Sequence, residues 1–247
     1  MTATAAPIPF PRLLAVETRK LFDTRSGKVM TAILAALTVA AIAARGLVAG
    51  PDYQLLLGTA GIGYGTLLPV LGILTVTGEW SHRTALTTFA LEPRRWRVMA
   101  AKCVPPLVTA VVAVAFAMLV AVPVTAVIAG VEGVAASWEI DVAALLGWTV
   151  SCVLGVAMGL ALGLLLLNAP AAIVITLTST LVWSTVRLLG DVGATLAEWL
   201  DLNTAATPLM DGELTGGDAL RLAVAATFWI VLPGVAGMIR VARKEVT

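Results

Sequence analysis

The chain has 247 residues, of which 59% are apolar and 13% charged, with a formal net charge of +1. So few charges cannot cover the surface of a water-soluble globule of this length, which excludes an ordinary soluble domain and leaves lipid to cover much of the surface. The small net charge is the sum of sixteen basic and fifteen acidic side chains, and no nucleic-acid partner is expected from it.

Residues 1–28 form an N-terminal segment. Within it Phe10, Leu13, Leu14, Leu21 and Phe22 alternate with Arg12, Glu17, Arg19 and Lys20, a pattern that predicts an amphipathic helix lying in a headgroup layer. The apolar stretch that follows has only Ala41-Ile42-Ala43 as a weak cleavage candidate, so it is read as a span and not as a removed signal. A spanning helix needs about 20 apolar residues, because a helix rises about 1.5 Å per residue across a core about 30 Å thick. Six stretches meet this need, at about 29–48, 53–78, 103–131, 142–167, 169–187 and 220–240. The fourth and fifth come from one uncharged run that would be about 67 Å long as a single helix. Proline lacks a donor and biases its predecessor away from helix, so Asn168-Ala169-Pro170 is the expected break. Between spans five and six, Leu196, Trp199, Leu200, Leu202 and Leu209 are too apolar for a hydrated loop. Short helices dipping into the outer leaflet are expected there, broken at Pro208.

The expected fold is thus all-α: a six-span domain over 29–242, an interfacial helix before it, short outer helices before the last span, and a tail at 243–247. An even number of spans puts both ends on one side. Arg12, Arg19, Lys20, Arg25 and Lys28, then Arg83, Arg94, Arg95, Arg97 and Lys102, then Arg240, Arg243 and Lys244 all fall on that side. The other side holds Arg45, Arg187 and Arg221 with most of the acids, so the positive-inside rule makes the basic side cytoplasmic, and the expected location is the plasma membrane.

No phosphate-cradling loop, zinc-protease motif, paired-cysteine motif or serine elbow is present. The one histidine, His82, lies in the basic loop, away from any spanning segment. The spans carry no ionisable residue of the kind that marks a proton relay. Cys103 and Cys152 are expected at different depths and unbonded. No metal or cofactor is therefore assigned to this chain.

Gly155, Gly159 and Gly163 recur every fourth residue and share one face of span four, where another backbone can come close. That face serves either a helix of the same chain or a dimer seam, and Gly61 and Gly65 on span two carry the same two alternatives. Span five has Thr176, Thr180 and Ser184 on one stripe, with Thr178, Ser179 and Thr185 beside it. The stripe either lines a pathway for an amphipathic substrate or bonds back to its own helix carbonyls. Trp138, Trp183 and Trp199 suit interfacial anchors.

The basic loop is the most informative stretch. Glu79 closes span two, Thr84 and a short run through Leu86, Phe89 and Ala90 follow, then Pro93, Arg94 and Arg95 lead to Lys102 at span three. This order resembles the corresponding segment of type-2 ATP-binding-cassette exporter permeases, with Arg83 where that family often has glycine. The resemblance implies a dimer of permeases, identical or homologous, bound to separate cytoplasmic ATPase subunits that hold the ATP and magnesium. It also implies that Leu86, Phe89 and Ala90 offer an apolar docking face, while Glu79, Arg83, Arg94 and Arg95 tie the loop to the nucleotide state. A drug, peptide or lipid-like compound is the implied cargo. The same arginines also suit plain attraction to anionic headgroups. A membrane enzyme using outer carboxylates such as Asp191, Glu198 and Asp201, or a scaffold that recruits a cytosolic protein, are the alternatives.

Overall fold

The computed structural model describes residues 8–81, 85–92 and 94–243, and among these the chain is helical with no strand. Helix α1 (Phe10–Asp23) starts at Pro9 and Phe10-Pro11, where a missing N–H costs nothing. It turns Glu17 and Leu21 inward. Thr24 then caps α2 (Arg25–Ala49), its hydroxyl accepting from the Gly27 amide at 3.2 Å, and Gly50 ends that helix at φ +79.

The second span is two helices. Asp52 caps α3 (Tyr53–Thr59), a turn at Ala60 interrupts it, and α4 (Gly61–Ser81) completes the crossing. A short α5 (Ala85–Leu91) follows. Helix α6 (Arg95–Glu132) is longer than the expected third span, because it begins at Arg95 and not at Cys103. At about 1.5 Å per residue its 38 residues reach well beyond a 30 Å core. The stretch holding Arg95 and Arg97 is therefore helix, not loop.

Asp141 caps α7 (Val142–Leu166), which ends at Leu167 with φ +50. Asn168 immediately caps α8 (Ala169–Arg187), so spans four and five are separated by a turn of two residues. Outside the spans lie α9 (Asp191–Leu200) and α10 (Leu202–Met210). Pro208 sits inside α10 and does not break it; the break comes at Asp201, which ends α9 and caps α10 through its carboxylate. The last crossing is α11 (Gly216–Ala226), a single wide turn at Thr227–Val231, and α12 (Leu232–Arg243). In that turn the Leu232 amide reaches back to the Thr227 carbonyl, a five-residue bond. Pro233 explains it, since the ring of a helical proline crowds the carbonyl four residues earlier and the wider turn relieves that crowding.

Six of these rods are long and apolar enough to cross a membrane, the architecture of a multi-pass membrane protein. Their outward faces carry Leu119, Val131, Leu181 and Leu47, all exposed, as a lipid-facing belt requires. Helix α7 is the centre of the bundle, lying against α4, α6, α10 and α12. Its approach to α4 is close: a Cβ on Gly159 would come within 2.2 Å of the Pro69 carbonyl oxygen, and one on Gly163 within 2.6 Å of Val76. Gly147 meets the Leu209 backbone of α10 in the same way. A buried polar node crosses this core, with the Tyr64 hydroxyl donating to the Ala113 carbonyl at 2.7 Å, accepting from Thr38 at 3.1 Å, and its ring stacked on Trp148.

Candidate functional site

The basic end of the bundle gathers α1, the end of α4, α5, the start of α6 and the end of α12. Glu79, in the last turn of α4, sits at its centre. Its Oε1 accepts from Lys102 Nζ at 2.9 Å, Lys20 Nζ at 2.8 Å and the Thr88 hydroxyl at 3.0 Å. Glu17 of α1 completes the cluster, with Oε2 at 2.7 Å from Lys102 and Oε1 at 2.8 Å from Lys20. Two carboxylates and two ammonium groups thus alternate, and one oxygen of Glu79 joins four helices: α1, α4, α5 and α6.

Burial decides how strongly this binds. Lys102 is 2% exposed and Glu17 4%, so neither charge keeps its hydration and each depends on the other. Lys20 is half in water. Burial alone would lower its pKa, but its hydrogen bonds to Glu17 and Glu79 and their charges together outweigh this and raise it above the ordinary lysine value. Glu79 has one feature left over: its Oε2 is buried and has no hydrogen-bond partner among the described residues.

A second set of contacts fixes α5. Buried Glu92 accepts from the Ile8 amide at 3.1 Å and from Arg97 at 3.0 Å, while Arg97 also donates to the Ile8 carbonyl at 2.8 Å. Phe89 is turned inward, its ring tilted against Trp80 with centroids 6.2 Å apart and covered by the Arg95 guanidinium at 5.0 Å. Arg95 also donates to the Val241 carbonyl of α12 at 2.8 Å, and Arg240 to the Leu165 carbonyl of α7 at 2.6 Å. The exposed face of the loop helix is then Thr87, Ala90 and Leu91, continued by Arg94 and Trp96.

Of the residues that the resemblance brought forward, Glu79, Phe89, Ala90, Arg94 and Arg95 meet at this end. Phe89 anchors the loop helix from inside and leaves Ala90 and Leu91 as the outward apolar surface. Arg83, Thr84 and Pro93 lie outside the described residues, as does the Leu86 side chain. Glu17 and Glu92 carry no motif that marks them as site residues. The available signal was that Glu17 is an acid among Arg12, Arg19 and Lys20 on an otherwise basic face, and that Glu92 comes just before the cations Arg94, Arg95 and Arg97.

The hydroxyl stripe of α8 divides. Thr176 donates to the Ala172 carbonyl at 2.9 Å and Ser184 to the Leu181 carbonyl at 2.8 Å, so both bond to their own helix. Thr180 accepts from Asn203 at 3.5 Å. With Ser184 it borders a small polar cavity of about 200 Å³ whose other walls include Arg187, Asp201 and Thr204. The outer carboxylates are separately engaged: Asp201 lies 3.7 Å from Arg187 and Glu198 3.4 Å from Arg221. Gly155, Gly159 and Gly163 pack on α4 of the same chain, and Gly61 lies against Trp148, whereas Gly65 faces open space.

A cavity of about 660 Å³ lies beside the charge cluster, between α1, the start of α2, the C-terminal half of α4 and α5, whose Thr87 and Leu91 stand at its border. Its walls are largely apolar, with Leu13, Val16, Met30, Leu71 and Leu74, and its polar end is made by the cluster together with Arg12. Among the described residues no group of acids, histidines and cysteines is arranged to hold a metal ion. The chain matches no family model and no curated protein.

Proposed function

We propose that this chain is the membrane-spanning subunit of an ATP-driven exporter of the type-2 ATP-binding-cassette kind, working as a pair of permeases with separate ATPase subunits at the basic, cytoplasmic end. The observation that carries this reading is the single Glu79 oxygen shared by Lys20, Lys102 and Thr88. Any force on α5 is passed through Thr88 to the end of α4, and through the two lysines to α1 and α6. Exposed Ala90, Leu91 and Trp96 supply apolar surface for a partner, and exposed Arg94 supplies charge. A partner that contacts this surface differently in its ATP and ADP states biases the tilt of two spans, which is the differential contact that population shift requires.

On this reading the chain performs no bond chemistry, ATP and magnesium belong to the partner, and the cargo is a hydrophobic or amphipathic compound. Its route runs between two copies of the chain or between it and a homologue. The outer carboxylates give less support to an enzyme, because Asp201 and Glu198 pair with different arginines and do not share a site.

The test is affinity purification of the chain from its own cells, followed by reconstitution in liposomes. The expected result is a co-purifying cassette ATPase whose hydrolysis is stimulated by an amphiphilic cargo and which moves that cargo across the bilayer. Turnover of a lipid-soluble substrate by the chain alone would identify an enzyme instead. Firm ATPase binding with no cargo movement would identify a scaffold.

A further inference from the structure

We infer that the cavity beside α1 holds the headgroup of one aminophospholipid, a lipid whose head joins a phosphate to an ammonium bearing N–H donors. Three observations on this cavity lead there. It has about 660 Å³, within the range of ligand pockets and enough for a headgroup and the upper part of its chains. It lies at the basic end of the bundle, where the spans meet the charged cluster, walled by the amphipathic α1 and by apolar side chains of α2 and α4. Its polar end has two complementary needs.

The first need is for a donor. Glu79 lines the cavity, and its Oε2 is buried without a hydrogen-bond partner among the described residues, an unmet need that a donor entering the cavity meets once a turn of the carboxylate uncovers that oxygen. The second is for an anion. Arg12 also lines the cavity, is exposed, and makes no ion pair among the described residues, while Lys20, whose side chain is about half exposed, adds a second cation on the same wall. A simple anion answers only the second need, and a simple amine only the first. A zwitterion with phosphate toward Arg12 and Lys20 and ammonium toward Glu79 answers both, and leaves the net charge of the cluster unchanged. Phosphatidylcholine offers the same charges but no N–H, so it leaves Glu79 Oε2 unsatisfied.

This inference concerns binding to the chain itself and does not depend on an ATPase partner. The experiment is native mass spectrometry of the chain released from nanodiscs that contain equal amounts of phosphatidylethanolamine and one competitor. The competitors are its N-methyl and N,N-dimethyl derivatives, phosphatidylcholine, and phosphatidylglycerol. Retention of one lipid per chain is expected, shared evenly while at least one N–H remains and favouring phosphatidylethanolamine over phosphatidylcholine by about tenfold, the ratio for one charge-assisted hydrogen bond. Arg12→Gln should weaken retention of both lipids alike, and Glu79→Gln should bring their ratio toward one. Leu74→Trp, which fills the cavity from its apolar wall and leaves the charged groups untouched, should abolish retention. Equal retention of phosphatidylethanolamine and phosphatidylcholine by the unaltered chain would overturn the inference, as would preference for phosphatidylglycerol or no retained lipid at all. The methylation series alters only the lipid, so its outcome decides the matter even where a substitution impairs folding.

Discussion

Lys102 and Glu17 lie 85 positions apart in the sequence and 2.7 Å apart in the structure, each almost wholly buried. The contact ties the amphipathic α1 to α6, one of the six helices long and apolar enough to cross a membrane. A buried pair of this kind is weak evidence of net stability, because desolvation offsets much of the attraction. Its removal by halves is another matter. Lys102→Met leaves Glu17 and Glu79 facing each other with only half-exposed Lys20 between them, and should lower the unfolding free energy by about 3 kcal/mol or more. Thermal unfolding of the detergent-purified chain measures this. A midpoint equal to that of the unaltered protein would show that the cluster contributes nothing to holding α1 on the bundle.

The same cluster fixes a pH dependence. Lys20 has a pKa raised above its ordinary value of 10.5 in the folded chain. A raised value contributes stability that is complete below the unfolded value and lost as pH rises through the folded one. Lys20 therefore adds no slope to stability between pH 7 and about 9.5, and the loss of its charge adds one only above 10.5. Lys20→Met should remove that alkaline slope. A steep Lys20-dependent change near pH 8 would contradict the sign.

Outward and inward residues of α5 should behave differently. Leu91 is 71% exposed and Phe89 8%. On the exporter reading, Leu91→Asp should weaken ATPase binding by tenfold or more, the effect of a hot-spot residue, while the chain alone melts as before. Phe89→Asp should instead lower the chain's own stability by about 3 kcal/mol, since it deletes a packed ring and buries a carboxylate. Pull-down and melting of the two variants, read together, separate docking from anchoring. Equal loss of ATPase binding with unchanged melting in both would place Phe89 at the docking surface after all.

The spans were legible because lipid demands long apolar runs, and the break at Asn168 was legible because local chemistry makes it. Less legible was what a tertiary contact decides. The extension of α6 down to Arg95 passes through a charged stretch that composition reads as loop; it is helical because Arg95 reaches α12 and Arg97 reaches Glu92 and Ile8. Pro208 suggested a break that Asp201 makes instead, since its carboxylate caps α10 and the proline is accommodated inside the helix.

The candidate site was half legible for the same reason. Glu79 and the arginines of the loop are neighbours in sequence, so a local motif brings them out. Lys20 reaches Glu79, and Glu17 reaches Lys102, only because α1 packs along α6, a contact that no spacing along the chain encodes. The inward turn of Phe89 likewise depends on Trp80 and Arg95 enclosing it.

Tyr64 was invisible to a search for charged or motif-bearing residues, yet its hydroxyl bonds α2 and α6 together in the apolar core. Tyr64→Phe keeps the stack on Trp148 and removes only the hydroxyl. The Ala113 carbonyl retains its helix partner and Thr38 its bond to Leu34, so the expected loss is about 1 kcal/mol. Chemical unfolding in mixed micelles measures it. A cost several times larger would mean that the hydroxyl holds a contact beyond these two.

The glycines allow a graded comparison within one residue type. Alanine generally favours a helix over glycine by about 1 kcal/mol, so the sign of each substitution reports the space at that position. A Cβ on Gly155 would touch Pro69 Cγ at an ordinary 3.4 Å, whereas on Gly159 it would stand 2.2 Å from the Pro69 carbonyl oxygen, an atom held by the backbone. Gly155→Ala should therefore be neutral or slightly stabilising, and Gly159→Ala should force α4 and α7 apart and lower stability by about 2 kcal/mol, in the range for overpacking. Gly65, inside α4, has nothing among the described residues within 4 Å of an added Cβ, so Gly65→Ala should stabilise the separated chain by up to about 1 kcal/mol. If the same Gly65→Ala substitution splits a dimer isolated from the membrane, then a second copy fills that open space. If assembly is unchanged while the separated chain melts slightly higher, the face meets only lipid, and the pairing of permeases has to use another part of the surface.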